Sequence, residues 1–324
     1  MVGPQFQLGL DTFGDVTVDD AGLPLAGWRD ALARGPAADL EAFTRHIEPA
    51  HLPHAVVIDC TASDAIAARY PDFLARGIHV ITPNKRAGAG PLGAYRAIQR
   101  LVRETRRQFL YEATVGAGLP VITTLRDLIR TGDRVTRIEG VLSGTLSFVF
   151  HRFDATRTFS AVVREAKGLG YTEPDPRDDL SGADVARKLV ILAREMGREI
   201  ELSDVQIENL VPAPLRGALT PDEFLTRLAE TDATMEQRRA EASARGEVLR
   251  YVGVLAADEP ARVELRSYPV SHPFAGLGAS DNIIAFTTAR YAKTALVVQG
   301  PGAGPEVTAG GVFADLLRLV GSAG

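Results

Sequence analysis

The sequence predicts an α/β protein: a doubly wound parallel sheet followed by a second, mixed α+β unit. Three observations carry this expectation. Apolar strand-like runs alternate with helical stretches early in the chain, the middle switches to closely spaced strands with covering helices, and 324 residues exceed what one core usually holds. The expected division is 1–111, completed by 300–324, for the first unit and 112–299 for the second. A hydrophobic content of 45% against 24% charged residues is that of a globular protein. The net charge of -5, with no Lys/Arg-rich block, argues against a nucleic-acid partner. The single Cys60 excludes an internal disulfide and Cys-based zinc cages and fits a reducing cytoplasm. No secretory leader pattern opens the chain and no run of about 18 apolar residues occurs, so no membrane span is expected.

The elements follow in order. Phe6 to Leu10 reads as a short strand closed by Asp11, followed by a turn region through Gly22 and helices at Trp28 to Arg34 and Asp39 to His46. Ala55 to Asp59 is a continuous apolar run of the kind buried in parallel sheets. Ser63 to Arg76 reads as helix and Gly77 to Ile81 as the next strand. In such sheets ligands sit beyond the carboxyl ends of the strands, which places Thr61, Ser63, Asn84 and Lys85 to meet a cofactor. Phe109 to Tyr111 is strand-like, and Glu112 to Pro120 is a glycine-bearing loop before a helix, Val121 to Thr131. Strands near Ile138 to Leu142, Val248 to Leu255, Val263 to Tyr268, Asn282 to Arg290 and Thr294 to Val298 belong to the second unit. Helices at Phe159 to Gly168, Ala183 to Met196 and Pro221 to Arg245 would cover them, and Val307 to Val320 closes the chain.

Two glycine patterns differ in weight. Gly88 to Gly93 has the G-x-G-x-x-G spelling but does not come straight off a strand, so it reads as a decoy. Gly300 to Pro305 follows a strand and precedes a helix, which suits a phosphate cradle and a plain tight turn about equally.

The stretch Gly170 to Lys188 is the richest in chemistry. Pro174 and Pro176 hold Glu173 to Pro176 as loop, and Ser181 or Asp179 can cap the helix that follows, whose stripe is Val185, Leu189 and Leu192 and whose stop is Gly197. Asp184 and Lys188 are one turn apart on that helix. Alone, such a pair is usually a surface salt bridge. Beside a rigid acidic loop it reads instead as a positioned proton donor, with fixed carboxylates for a substrate that carries an ammonium group.

Thr82-Pro-Asn-Lys85, Glu112 to Pro120, Leu142-Ser-Gly-Thr-Leu-Ser147, Gly170 to Lys188 and Gly302 to Val312 together resemble the successive motifs of homoserine dehydrogenase, in unbroken order from about residue 55 to the end. The resemblance implies a Rossmann-like nucleotide-binding domain with a substrate and dimerisation domain. It also implies reversible reduction of L-aspartate 4-semialdehyde to L-homoserine with NADH or NADPH, in a cytoplasmic homodimer without nucleic-acid or membrane partners. Under it, Lys188 is the general acid and Asp184 orients it. Glu173 and Asp179 hold the substrate amino end, Thr145 and Lys85 lie near substrate, and Thr61, Ser63, Lys85, Gly170 and Gly304 meet the cofactor. Glu112, with the carbonyls of Val115, Ala117 and Leu119, resembles a site for a monovalent cation, sodium or potassium, although Gly116 and Gly118 also suit a tight turn.

The family opens with a strand and a G-x-G-x-x-G loop, and no such segment precedes Phe6. The expectation is a sheet incomplete at its N-terminus, most simply from a truncated gene model, in a short monofunctional form. On this alignment Asp11 ends the second strand, where a carboxylate favours NAD over NADP. The rival expectation is a catalytically silent homologue that persists as a dimerisation or regulatory module.

Overall fold

The computed structural model describes residues 40–47, 54–217, 219–278 and 280–322. The expected strand Phe6 to Leu10, Asp11 and the helix Trp28 to Arg34 lie outside the described residues. The helix expected from Asp39 is described as Leu40–Ile47.

Three parallel strands, β1 (Ala55–Ile58), β2 (Ile78–Ile81) and β3 (Phe109–Leu110), form one sheet in the order β1-β2-β3. β2 is buried along its whole length, as a strand covered on both faces must be. The single helix expected between β1 and β2 is two, Asp64–Ala67 and Tyr70–Ala75, because Pro71 falls at the first turn of the second and cannot continue the first.

The second sheet has six strands in the order β5-β7-β6-β4-β8-β9: β4 (Val135–Val141), β5 (Gln206–Ile207), β6 (Glu247–Ala256), β7 (Arg262–Pro269), β8 (Asp281–Thr288) and β9 (Leu296–Pro301). All its pairings are antiparallel except β5 with β7. The helix Gly144–Arg152 leaves β4 directly, with Ser143 capping it through a bond from the Leu146 amide.

The helix Ala183–Glu195 is the spine of the molecule, with Val185, Ala186, Leu189, Val190 and Leu192 at most 1% exposed. Burying each leucine side chain contributes roughly 2 to 3 kcal/mol. It starts at Ala183, as expected, but the segment before it and its cap differ. Pro176 already begins a short helix, Pro176–Leu180, capped by Asp175, and the chain breaks at Gly182. There φ is +74°, and a Cβ would stand 2.2 Å from the Tyr251 hydroxyl, so glycine alone permits the new start. Ser181 still serves the second helix by accepting from the Ala183 amide, whereas Asp179 does not cap it. Gly197 ends the helix in the left-handed conformation, as expected. The helix expected over Pro221 to Arg245 is interrupted by a tighter turn at Leu228–Thr231 between Pro221–Arg227 and Asp232–Ala244.

The last helix, Pro305–Ser322, returns to the parallel sheet and packs Val312, Leu316 and Leu319 against Val56, Ile81 and Leu110. Its first half lies backbone to backbone on the loop after β3. A Cβ at Gly118 would be 2.4 Å from the Val307 carbonyl, and one at Gly311 would be 2.8 Å from that of Ala117. Gly88 sits within the helix Lys85–Ala89, where a Cβ would press on Ile191 at 3.0 Å, so the first glycine of the G-x-G-x-x-G spelling serves helix packing. No helix among the described residues is long and apolar enough to cross a membrane.

Candidate active site

A cleft of about 840 Å³ opens where the parallel strands, the helix Ala183–Glu195 and the turn after β9 converge. Lys85, Thr145, Gly170, Glu173, Asp179, Asp184, Lys188 and Gly304 all line it.

Lys188 enters from the buried side of its helix and is 8% exposed. Its Nζ donates to the carbonyl of Leu142 at 2.6 Å and pairs with Asp184 Oδ2 at 2.9 Å. An ammonium has three N–H groups, so two are committed and one is left for the cleft. The acceptor on Leu142 has no sequence signal, because any residue supplies a carbonyl; only the turn from β4 into its helix places it. Asp184 does not serve Lys188 alone. Its Oδ1 is 3.2 Å from Lys85 Nζ, so one carboxylate holds two ammonium groups. Burial raises the Asp184 carboxyl, but the Lys188 and Lys85 charges outweigh it and hold the group well below the usual carboxylate range. Burial also lowers the Lys85 amine, with Asp184 pulling the other way and Lys188 adding to the fall.

The acidic loop is tied to itself and to the neighbouring helix. Asp179 Oδ2 accepts from the Glu173 amide at 2.8 Å, Thr145 Oγ1 donates to the Tyr171 carbonyl at 2.6 Å, and Tyr171 stacks on Phe148 with ring centroids 4.5 Å apart. Burial pushes Asp179 above its ordinary value, opposed chiefly by its bond from the Glu173 amide. A cationic partner would draw that carboxyl back toward ionisation. Arg187, which the sequence did not single out, also faces the cleft.

On the opposite wall, Pro301 to Gly304 turns from β9 into the last helix and lines the cleft together with Thr308. Gly304 has φ +118°, and a Cβ there would only reach van der Waals contact with Val307, at 3.7 Å. A glycine turn leading into a long helix presents free amides and the positive end of the helix dipole, which fits an anionic or amide-bearing cofactor. Thr61 and Ser63 stand apart from these lining residues. The Thr61 amide donates to Asp59 Oδ1 at 2.8 Å, and Ser63 accepts from the Ile66 amide at 3.3 Å to cap the helix after β1. Behind them Asn84 bonds both Asp59 Oδ2 at 3.1 Å and the Ser63 carbonyl at 3.0 Å, tying the exits of β1 and β2 together just before Lys85.

Gly116 and Ala117 reach the cleft, but the Glu112 carboxylate turns away into protein. It accepts from the amides of Ile122 at 2.7 Å and Thr123 at 3.0 Å, from the Thr123 hydroxyl, and from Arg318 at 3.2 Å. The Leu119 carbonyl accepts from the Val121 amide at 2.8 Å. So placed, Glu112 is saturated by protein donors, and the expected oxygen ring does not fit a cation unless a donor leaves. Among the described residues no three His, Cys, Asp or Glu side chains gather as a metal set.

Sequence comparison matches residues 120–317 to the family profile "Homoserine dehydrogenase" and residues 18–112 to "Homoserine dehydrogenase, NAD binding domain". The homoserine dehydrogenase of Schizosaccharomyces pombe is 43% identical over 313 residues, covering 94% of this chain and 83% of that protein. The chloroplastic bifunctional aspartokinase/homoserine dehydrogenase 2 of Arabidopsis thaliana is 53% identical over 96% of this chain, which spans only 34% of the plant protein. Among solved structures, a Candida auris protein of unknown function superposes with a TM-score of 0.84 at 40% identity, covering 94% of this chain and 87% of that one.

Proposed function

Because the chain belongs to the homoserine dehydrogenase family, we propose that it catalyses the NAD(P)H-dependent, reversible reduction of L-aspartate 4-semialdehyde to L-homoserine. The observation that carries this reading is the Lys188 ammonium, which lines the cleft and is held by the Leu142 carbonyl and Asp184, leaving one N–H uncommitted. The turn at Gly302 to Gly304 would hold NAD(P)H, which would supply the hydride for the aldehyde carbon. The chain supplies the rest. Lys188 donates its third proton to the oxygen as negative charge develops there, and Lys85, sharing Asp184, adds a second positive charge facing the same oxygen. Glu173 and Asp179 anchor the substrate ammonium, and Thr145 fixes the loop that carries them. In the reverse direction the neutral Lys188 amine takes the hydroxyl proton.

The intact arrangement of Lys85, Asp184 and Lys188 favours this over a silent dimerisation module, since a module would have no use for two ammonium groups held on one half-exposed carboxylate. The same reading brings a homodimer in the cytoplasm, and a monovalent cation that displaces Arg318 from Glu112 and takes the Val115, Ala117 and Leu119 carbonyls. Turnover of the Lys188→Ala variant tests the core of it. A fall in kcat of about 10² to 10⁴-fold, with melting temperature held within a few degrees, is expected for loss of a general acid. A Lys188→Ala enzyme with near-normal kcat would remove the proton-donor role.

A further inference from the structure

Asn282, the second residue of β8, is wholly buried, with 0% of its surface exposed. Its Nδ2 donates to the Leu142 carbonyl at 3.3 Å, the same oxygen that seats the Lys188 ammonium at 2.6 Å. The amide orientation follows from chemistry: a carbonyl faces it, so the nitrogen must be on that side. Its Oδ1 has no hydrogen-bond partner among the described residues. An unmet buried acceptor costs about 1 to 3 kcal/mol, so stability alone does not account for a polar side chain here. On its other side the amide packs on Gly302, where a Cβ would lie 2.0 Å from Asn282 Cγ and 2.1 Å from Nδ2. Strand register explains the meeting: β8 pairs Ile283 with Val141 on one edge and Asn282 with Gly300 on the other. One side chain thus touches both the carbonyl that seats the ammonium and the glycine turn that lines the opposite wall.

We propose that Asn282 is a positioning residue for the reaction, fixing the Leu142 carbonyl as the seat of Lys188 and setting, through Gly302, the distance between that ammonium and the glycine turn. The proposal rests on the dehydrogenase reading for its purpose and on Asn282 geometry for its content. A carbonyl oxygen has two lone pairs. Asn282 takes one and Lys188 the other, so the carbonyl cannot rotate toward a different donor. Gly302, pressed on the amide face, moves only if the amide moves.

Asn282→Asp tests this, because a carboxylate repels the Leu142 carbonyl and draws the ammonium out of its seat. Reductive methylation of Lys188, read by peptide mass spectrometry, should slow about tenfold in the variant at about pH 8, the effect of a new neighbouring negative charge on an amine. The kcat should fall about tenfold or more while KM for aspartate semialdehyde stays within about twofold, since aim rather than binding is lost. Labelling needs no turnover. A wild-type protein without dehydrogenase activity but with this labelling difference would sink the dehydrogenase reading and support the positioning role. Wild-type labelling and kcat in a folded Asn282→Asp protein would overturn the positioning role alone. If Asn282→Asp does not fold, Gly302→Ala carries the test. Its methyl group strikes the amide and should lower kcat/KM for the cofactor about tenfold, and adding Asn282→Ala should recover part of that by making room. Additive losses would overturn the proposal.

Discussion

Asp184→Asn removes one charge from between two ammonium groups and keeps the side-chain shape. The carboxylate stands 2.9 Å from Lys188 Nζ and 3.2 Å from Lys85 Nζ, with 45% of its side chain open to the cleft. A pair of unit charges at about 4 Å interacts by roughly 1 kcal/mol in water and about 4 kcal/mol at the effective dielectric of a protein surface. Half open, Asp184 falls toward the lower figure, so its loss should withdraw roughly 1 to 2 kcal/mol of support from each charged amine. At about 1.4 kcal/mol per pH unit, the alkaline limb of the kcat profile should move down by about one unit. Turnover near neutrality should fall about 10² to 10³-fold, because Lys188 also loses its aim. The assay follows NADPH consumption with aspartate semialdehyde from about pH 6 to pH 10, with melting curves in parallel. An Asp184→Asn enzyme with unchanged kcat and an unmoved alkaline limb would refute the argument that this carboxylate sets the charge of both lysines.

Three further outcomes follow from the structure. Burial, then Arg107 and His54, pushes His79 down to about 4. The unfolded residue titrates near 6.5, so between these values only the unfolded chain binds the proton. Stability should therefore be full above pH 6.5 and fall as pH drops toward 4, by at most about 1.4 kcal/mol per unit. Denaturation midpoints should show His79→Gln with a flatter decline, and an equal slope would dismiss His79 as the cause. Gly88→Val should cost about 1 to 3 kcal/mol by overpacking Ile191, with Gly88→Ala milder; neutral melting curves for both would contradict the close contact. If a cation displaces Arg318 at Glu112, sodium or potassium should raise the melting temperature relative to choline in the wild type and not in Glu112→Gln, and identical salt responses would end the cation proposal.

Much of this was legible in the residues because local signals agree with the tertiary result. The apolar runs at Ala55 to Ile58 and Ile78 to Ile81 are parallel strands, and Phe159–Gly168 is the helix its pattern predicts. Asp184 and Lys188 share a helix face by spacing alone. What escaped was set by contacts between distant segments. Lys85 meets Asp184 only because two elements converge, and the seat of Lys188 is a backbone oxygen that no residue type announces. Asn282 gave no signal either, since an asparagine at a strand start reads as turn chemistry until Gly302 is seen against it. The break before Ala183 escaped because it is set at residue 182, where Tyr251 of β6 excludes any side chain. The family resemblance marks Glu112 as an ion ligand, but that the amides of the helix that follows and Arg318 of the last helix bond it could not be read from its loop.

The glycine contacts between the loop at Gly116 to Gly118 and the first half of the last helix also fix when the cleft can exist. Two segments far apart in sequence must meet at backbone distance, and the entropy of closing so long a stretch of chain is spent before either side gains a contact. During synthesis the floor of the cleft can be made and folded while its wall is still unwritten. Competence to bind should therefore appear as a late, single step, well after most helix and sheet has formed, and a nascent chain stalled before Pro305 should be folded in bulk yet blind to cofactor.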